Sequence, residues 1–176
     1  MDFELQQWSE AHRSPFVAMQ SDSEVMADLG GPYAQQESNS KFDRYRDAWF
    51  NDGISRWAVV ERAGRFLGYA GVMKREDADH PLGPHYEIGW RFNRFAWGKG
   101  LATRSASIAL QHAWTVLSTR EIFSYTAADN RRSQLVMTRL SLKRVPTRDF
   151  TAPYERGDWT GLVWIAERPL TALPVP

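Results

Sequence analysis

Residues 92–107, FNRFAWGKGLATRSAS, leave a strand, turn through Trp97-Gly98-Lys99-Gly100-Leu101-Ala102 and run into a helix. What surrounds this turn narrows the choice of fold. Residues 56–62 (RWAVVER) and 65–73 (RFLGYAGVM) read as two strands of a hairpin closed by Ala63-Gly64, and 86–92 (YEIGWRF) as a third strand. Before them, 3–8 alternates as a first strand, Ser9 is placed to cap a helix over 12–20, and Asp22 or Ser23 to start a short helix ended by Gly30-Gly31-Pro32. Phe42, Tyr45, Arg46 and Trp49 recur at helical spacing within 35–50, an amphipathic helix that Asn51-Asp52-Gly53 stops. After the glycine turn come a helix over 99–117, a strand over 121–126, a helix from Asn130 through 140, and closing strands over 143–150 and 161–167. A run of antiparallel strands followed by a strand–helix–strand unit predicts an α+β domain, with a mixed, mostly antiparallel central sheet flanked by helices. We place this single domain at 1–168 and a loose tail at 169–176.

Composition removes several function classes. The chain of 176 residues has no Cys, so disulfides, thiolate metal sites and a cysteine nucleophile are absent together. The histidines, His12, His80, His85 and His112, lack ligand-like spacing, and no metal is expected. Lys and Arg number 22 against 21 Asp and Glu, too even a balance to argue for nucleic acid. Apolar runs such as 57–60 and 162–166 are strand-length and too short for a membrane span, and MDFELQQW lacks a basic-then-apolar leader pattern, so the expectation is a cytoplasmic protein. Eight Trp and nine Phe read first as a bulky core, and they also permit a homodimer.

Glycines at a strand-to-helix turn let backbone N–H groups approach a ligand, and the positive end of the following helix favours an anion such as a pyrophosphate. A turn with no ligand has the same sequence. A dinucleotide loop fits less well. Gly98 and Gly100 match its first two glycines, but Thr103 stands where the third belongs, and Glu121 begins the next strand instead of ending it.

Gly100 and Ala102 match the last two fixed positions of [R/Q]-x-x-G-x-[G/A], the acetyl-CoA-binding motif of the GNAT superfamily, with Trp97 in place of the usual Arg or Gln. The longer string EIGW…WGKGLAT resembles the ribosomal-protein N-acetyltransferase (RimJ/RimL-like) branch. Asn130-Arg131-Arg132-Ser133 resembles the N-x-x-S that opens the next helix of that branch. Met137-Thr138-Arg139-Leu140-Ser141-Leu142 resembles the close of that helix, with Ser141 where Gly is usual. The resemblance covers about 3–167. It implies the GNAT fold, acetyl-CoA as cosubstrate, and direct transfer of the acetyl group to a primary amine, either a protein N-terminus or a small molecule. A non-catalytic acyl-CoA sensor or interaction module is the alternative.

By that resemblance, the main chain of Trp90, Arg91 and Phe92 pairs with the pantetheine arm, and an N–H there polarises the thioester carbonyl. Trp97, Gly98, Lys99, Gly100, Leu101, Ala102 and Thr103 cradle the pyrophosphate. Lys99 and Arg104 reach phosphates, Arg131 or Arg132 the 3′-phosphate, and Asn130 caps its helix and touches CoA. Ser133 resembles the proton donor to the CoA thiolate, with Tyr125 as alternative. For the base, strand alternation sets Glu87, Gly89 and Arg91 on one face, and a carboxylate in a central strand is costly unless paired or lining a wet cleft. Glu87 is the preferred base, through water, or else a structural partner of an arginine. His85 is the rival, because its ordinary pKa suits the task. Residues 20–52 and 147–159, with Trp49, Phe50, Asp149, Tyr154, Glu155 and Asp158, are expected to frame the acceptor side.

Overall fold

The computed structural model describes residues 1–154 and 157–169, apart from the side chain of Tyr154. The tail expected over 169–176 lies outside these residues except for Pro169. The strands are β1 (Phe3–Gln6), β2 (Arg56–Glu61), β3 (Phe66–Arg75), β4 (His85–Phe92), β5 (Glu121–Thr126), β6 (Lys143–Arg144), β7 (Phe150–Tyr154) and β8 (Gly157–Glu167). The helices are α1 (Arg13–Gln20), α2 (Gln35–Asn51), α3 (Leu101–Val116) and α4 (Arg131–Arg139). One sheet runs in the order β1-β2-β3-β4-β5-β8-β6, with β7 hairpinned onto β8. Every pairing is antiparallel except β4 with β5.

β2 and β3 are apolar almost throughout because both faces are covered. Val59, Leu67, Ala70 and Val72 pack with Ile88 and Phe92 of β4 under Leu101, Ala106 and Ala113 of α3. The opposite face sends Ala58, Val60, Tyr69 and Met73 against Phe16 of α1 and Phe42 and Tyr45 of α2. A dense aromatic cluster sits here. The Trp8 ring lies 5.3 Å from Phe16 and 5.4 Å from Phe42, both edge-on, and its indole donates to the Arg56 carbonyl at 2.7 Å. Among the described residues no helix is long and apolar enough to cross a membrane.

Four local expectations change. The first strand stops at Gln6, and Trp8 goes into the core. The helix expected from Asp22 or Ser23 is only a 3-10 turn at Ala27–Leu29. The Asp22 carboxylate accepts the N–H groups of Glu24 and Val25, and such a side-chain turn competes with a helix. The strand expected over 143–150 breaks after Arg144. Pro146 has no N–H to donate and opens a 3-10 turn, while the Asp149 carboxylate takes the Val163 N–H at 2.9 Å. Finally, α3 starts at Leu101 and not at Lys99, because Gly98 (φ 74°) and Gly100 (φ 69°) are both left-handed.

Candidate active site

β4 is paired along its whole length on one side and almost not at all on the other. Toward β3 the register runs from Gly68↔Phe92 to Arg75↔His85. Toward β5 it holds one pair, Glu87↔Phe123, with the Ser124 hydroxyl donating to the Ile88 carbonyl at 3.0 Å. Past this point the two strands diverge. Along an extended strand the N–H and C=O of residues i and i+2 point the same way. The Ile88 carbonyl faces β5, so the Trp90 main chain faces the opening, and no described strand pairs with it there. The Phe92 carbonyl, on the same side, is taken by the Trp97 indole at 2.8 Å. The Arg91 main chain turns to β3, opposite Tyr69. Of the three residues expected to pair with pantetheine, Trp90 therefore presents both its N–H and its carbonyl to the opening, Phe92 only its N–H, and Arg91 neither.

The glycine turn follows at the end of β4. Gly98 and Gly100 are exposed, and a Cβ built on either would meet nothing within 4 Å. Gly100 is the N-cap of α3, and the first helical bond runs from the Arg104 N–H to the Gly100 carbonyl at 3.1 Å. The N–H groups of Leu101, Ala102 and Thr103 thus have no helical acceptor. The Leu101 side chain is buried and that of Ala102 packs on the same core, so these residues offer the turn only their backbone. The Thr103 hydroxyl is buried without a hydrogen-bond partner. Open amides, a helix N-terminus and an orphaned hydroxyl suit a diphosphate. Lys99 is exposed beside them. Arg104, also expected at a phosphate, instead donates to the Met1 carbonyl at 3.0 Å and lies over Phe3. Arg132 stacks 4.0 Å from the Trp97 ring centroid. Trp97 therefore ties the end of β4 to the first turn of α4 by its side chain.

A cleft of about 1390 Å³ lies against the Glu87–Gly89–Arg91 face of β4, with α2 on one side and β5, α4 and the β7–β8 hairpin on the other. Its floor is charged. Glu87, 7% exposed, meets Arg56 Nη2 at 3.0 Å and Arg75 Nη2 at 2.5 Å. Burial pushes the Glu87 carboxyl up, but the two guanidiniums outweigh it and hold the group near about 2. A carboxylate so acidic is a weak proton acceptor in this arrangement. Gly89 makes the arrangement possible, since a Cβ there would stand 2.4 Å from Arg56 Nη1.

His85 does not line this cleft; it borders a smaller pocket with Tyr86, Thr119 and Phe123. Its Nδ1 lies 2.6 Å from the Gly83 carbonyl, and burial lowers its pKa. Ser133 does line the cleft, in the first turn of α4, where the Asn130 Oδ1 accepts its N–H at 3.1 Å. Asn130 spends its other end on Asp28, at 3.1 Å, and Asp28 also holds Arg91 at 2.7 Å. Tyr125, across the opening on β5, is kept protonated by burial and by the charge of Glu87.

The two segments expected to frame the acceptor side, 20–52 and 147–159, do line the cleft, through Lys41, Arg44 and Tyr45 of the first and Phe150 and Trp159 of the second, but the side chains singled out in them do not. Phe50 is 92% exposed, Trp49 stacks on Trp57 at 4.1 Å, Asp149 is paired with Arg144, and Asp158 is exposed outside the lining. The Tyr154 side chain and Glu155 lie outside the described residues. Sequence reasoning missed Arg56 and Arg75, and within 20–52 it did not single out Asp28, Lys41 or Tyr45 as site residues, although all five line the cleft. One signal was available: Lys41 interrupts the apolar stripe of α2 beside Phe42 and Tyr45.

A family model described as an acetyltransferase (GNAT) domain matches residues 2–143. The chain belongs to the GNAT acetyltransferases. Acetyl-CoA is the cosubstrate that goes with this membership. Three solved structures show how widely the GNAT fold is shared. An acetyltransferase from Agrobacterium tumefaciens is 22% identical, covering 94% of this chain and 90% of its own, with a TM-score of 0.75. Spermidine N-acetyltransferase from Vibrio cholerae, solved with CoA and spermine, is 13% identical over 94% of this chain and 95% of its own, with a TM-score of 0.73. Ribosomal-protein-S5-alanine acetyltransferase from Vibrio fischeri is 9% identical over 97% and 95%, with a TM-score of 0.74. At such identities the likeness concerns the fold.

Proposed function

We propose that this GNAT protein transfers the acetyl group of acetyl-CoA directly to a primary amine bound in the charged cleft. One observation carries the reading: β4 parts from β5 immediately before a turn of open amides, so a thioester arm laid in the opening continues into a diphosphate site. The Trp90 N–H, facing the opening, is placed to stabilise the oxyanion that forms as the amine nitrogen attacks the thioester carbon. The new C–N bond forms as the C–S bond breaks. Ser133 supplies the proton the thiolate takes up, with Tyr125 as the alternative donor. The proton lost by the amine leaves through water in the open cleft. Glu87 enters chiefly as the anion that fixes Arg56 and Arg75, and any share it has in proton removal runs through that water.

Both acceptor classes of the RimJ/RimL-like resemblance, a protein N-terminus and a small amine, are reached by the same chemistry. The named activities of the Vibrio relatives span the same two classes. The test is release of the CoA thiol from acetyl-CoA in the presence of a panel of amines and peptides. Ser133→Ala should lower kcat by roughly tenfold or more while CoA affinity stays within about twofold. CoA binding without thiol release from any amine would instead favour a binding module.

A further inference from the structure

The α2 wall of the cleft buries a cation that no carboxylate pairs. Lys41, Arg44, Tyr45 and Ala48 follow helical spacing and all line the cleft. Lys41 is 9% exposed, yet its ammonium makes one hydrogen bond, to the Gln20 Oε1 at 3.1 Å, and lies 4.8 Å from the Tyr33 ring centroid. Among the described residues no carboxylate stands at ion-pair distance from Lys41 or from Arg44. Deeper in, Arg56 and Arg75 share the single carboxylate of Glu87, and the Arg56 Nε is buried without a partner. Burial brings the Lys41 ammonium down to about 8; the Tyr45 phenol opposes this shift, and the charges of Arg91, Arg44 and Arg56 add to it. A buried cation that repels its neighbours is costly unless an anion joins it.

The lining also holds Glu37, Asp47 and Asp52 at the α2 side, and Asp28, Glu76, Asp77 and Asp79 elsewhere. Asp28 is spent on Arg91, Glu76 on Lys74 and Asp47 on Arg46, and all but Asp28 and the half-buried Asp52 are exposed, where water and salt screen them. The buried point of the wall is Lys41, and an oxyanion suits that point even though carboxylates rim the cleft.

We propose that the acceptor amine also bears a carboxylate, and that Lys41 and Arg44 bind this group while the amine end lies at the β4–β5 opening. The proposal rests on the acetyl-transfer reading above and narrows its substrate class. A free amino acid and an acidic N-terminal residue of a peptide share the chemistry.

The test titrates the CoA-saturated protein calorimetrically with L-glutamate against its diamide, and with Asp-Ala-Ala amide against Asn-Ala-Ala amide, with spermidine as a polycation. CoA thiol release from acetyl-CoA is followed with the same compounds. In at least one pair the acid should bind about tenfold or more tighter than its neutral partner, and that pair identifies the source. Lys41→Met, which keeps the side-chain volume, and Arg44→Ala, at an exposed position, should each cut the preference to about threefold or less. Circular dichroism reports whether each variant folds. Equal binding within both pairs, tighter binding of spermidine than of either acid, or a preference unmoved in the folded variants would overturn the proposal. Failure of acetyl transfer has a different signature: the carboxylate preference persists while no compound releases thiol.

Discussion

The two sides of β4 solve opposite problems with different materials. On the proposed cofactor side, from Trp90 to Thr103, the chain offers bare backbone: an unpaired strand edge, two left-handed glycines and the first amides of α3. On the proposed acceptor side, the same strand contributes side chains, with Glu87 between Arg56 and Arg75 and Arg91 on Asp28. A backbone site needs only local geometry, and the identities of most side chains along it matter little. A buried charge site needs each partner in place, and loss of one leaves the others uncompensated. The cofactor side should therefore tolerate substitution in stability and respond in affinity. The acceptor side should respond in stability first.

The largest effect that can break this contrast is Glu87→Gln. It leaves two buried guanidiniums without their anion and should cost roughly 3–5 kcal/mol, a drop of about 10 °C or more in thermal unfolding. The acid limb of stability should change with it. The Glu87 pKa is depressed in the folded state from 4.5 to about 2. Its contribution, about 3 kcal/mol, is therefore present above pH 4.5 and lost as pH falls toward 2. Urea unfolding at steps from pH 6 to 2.5 should show a steep loss in the native chain and a shallower one in Glu87→Gln. A variant as stable as the parent would remove the physical basis of the contrast.

Gly89→Ala comes next. The new Cβ would stand 2.4 Å from an Arg56 guanidinium that is already bonded to the Gly71 carbonyl at 2.7 Å. The expected loss is about 1–3 kcal/mol in denaturant unfolding, with CoA affinity nearly unchanged by calorimetry. Gly100→Ala should do the reverse. Nothing crowds a Cβ there, so its whole effect is the left-handed φ of 69°. In the free protein the exposed turn can relax out of that conformation, so stability should fall little, while CoA binding, which needs the turn restored, should bear the strain of about 1–2 kcal/mol and weaken about tenfold. Equal effects of the two glycines on CoA affinity would mean that the sides of β4 are not independent.

The smallest change lies outside both regions. Ser141 closes α4 with φ 59°, and the chain ends the helix through the bonds Ser141 N–H to Thr138 and Leu142 N–H to Met137. This is the Schellman pattern, with serine where glycine is favoured. Ser141→Gly should add about 0.5–1 kcal/mol of stability and leave turnover unchanged, so it serves as a control on the other three.

Much of the cofactor side was legible before any coordinates. Gly98, Gly100, Asn130 and the alternation of 86–92 are local signals, and each forms the turn, cap or strand its neighbours demand. The failures also have local causes. Asp22 closes a side-chain turn in place of a helix, Pro146 cannot donate to a ladder, and Trp97 turns its indole to the Phe92 carbonyl. On the acceptor side the segments 20–52 and 147–159 were legible, and the side chains that count within and beyond them were not. Phe50 and Asp149 look like cleft residues in the sequence and are not, whereas Arg56 sits in an apolar strand next to Trp57 and reaches the centre of the cleft.

By itself the sequence determined the order of helices and strands and the phosphate-suited turn, because backbone preferences act between residues a few positions apart. Only the tertiary structure decided that β4 separates from β5 after a single pair, that Glu87 is held ionised by Arg56 and Arg75, and that Lys41 is buried without a carboxylate. Those facts join residues from 12 to 36 positions apart. Desolvation and charge depend on which segments meet in space, and no stretch of a few neighbouring residues records that meeting.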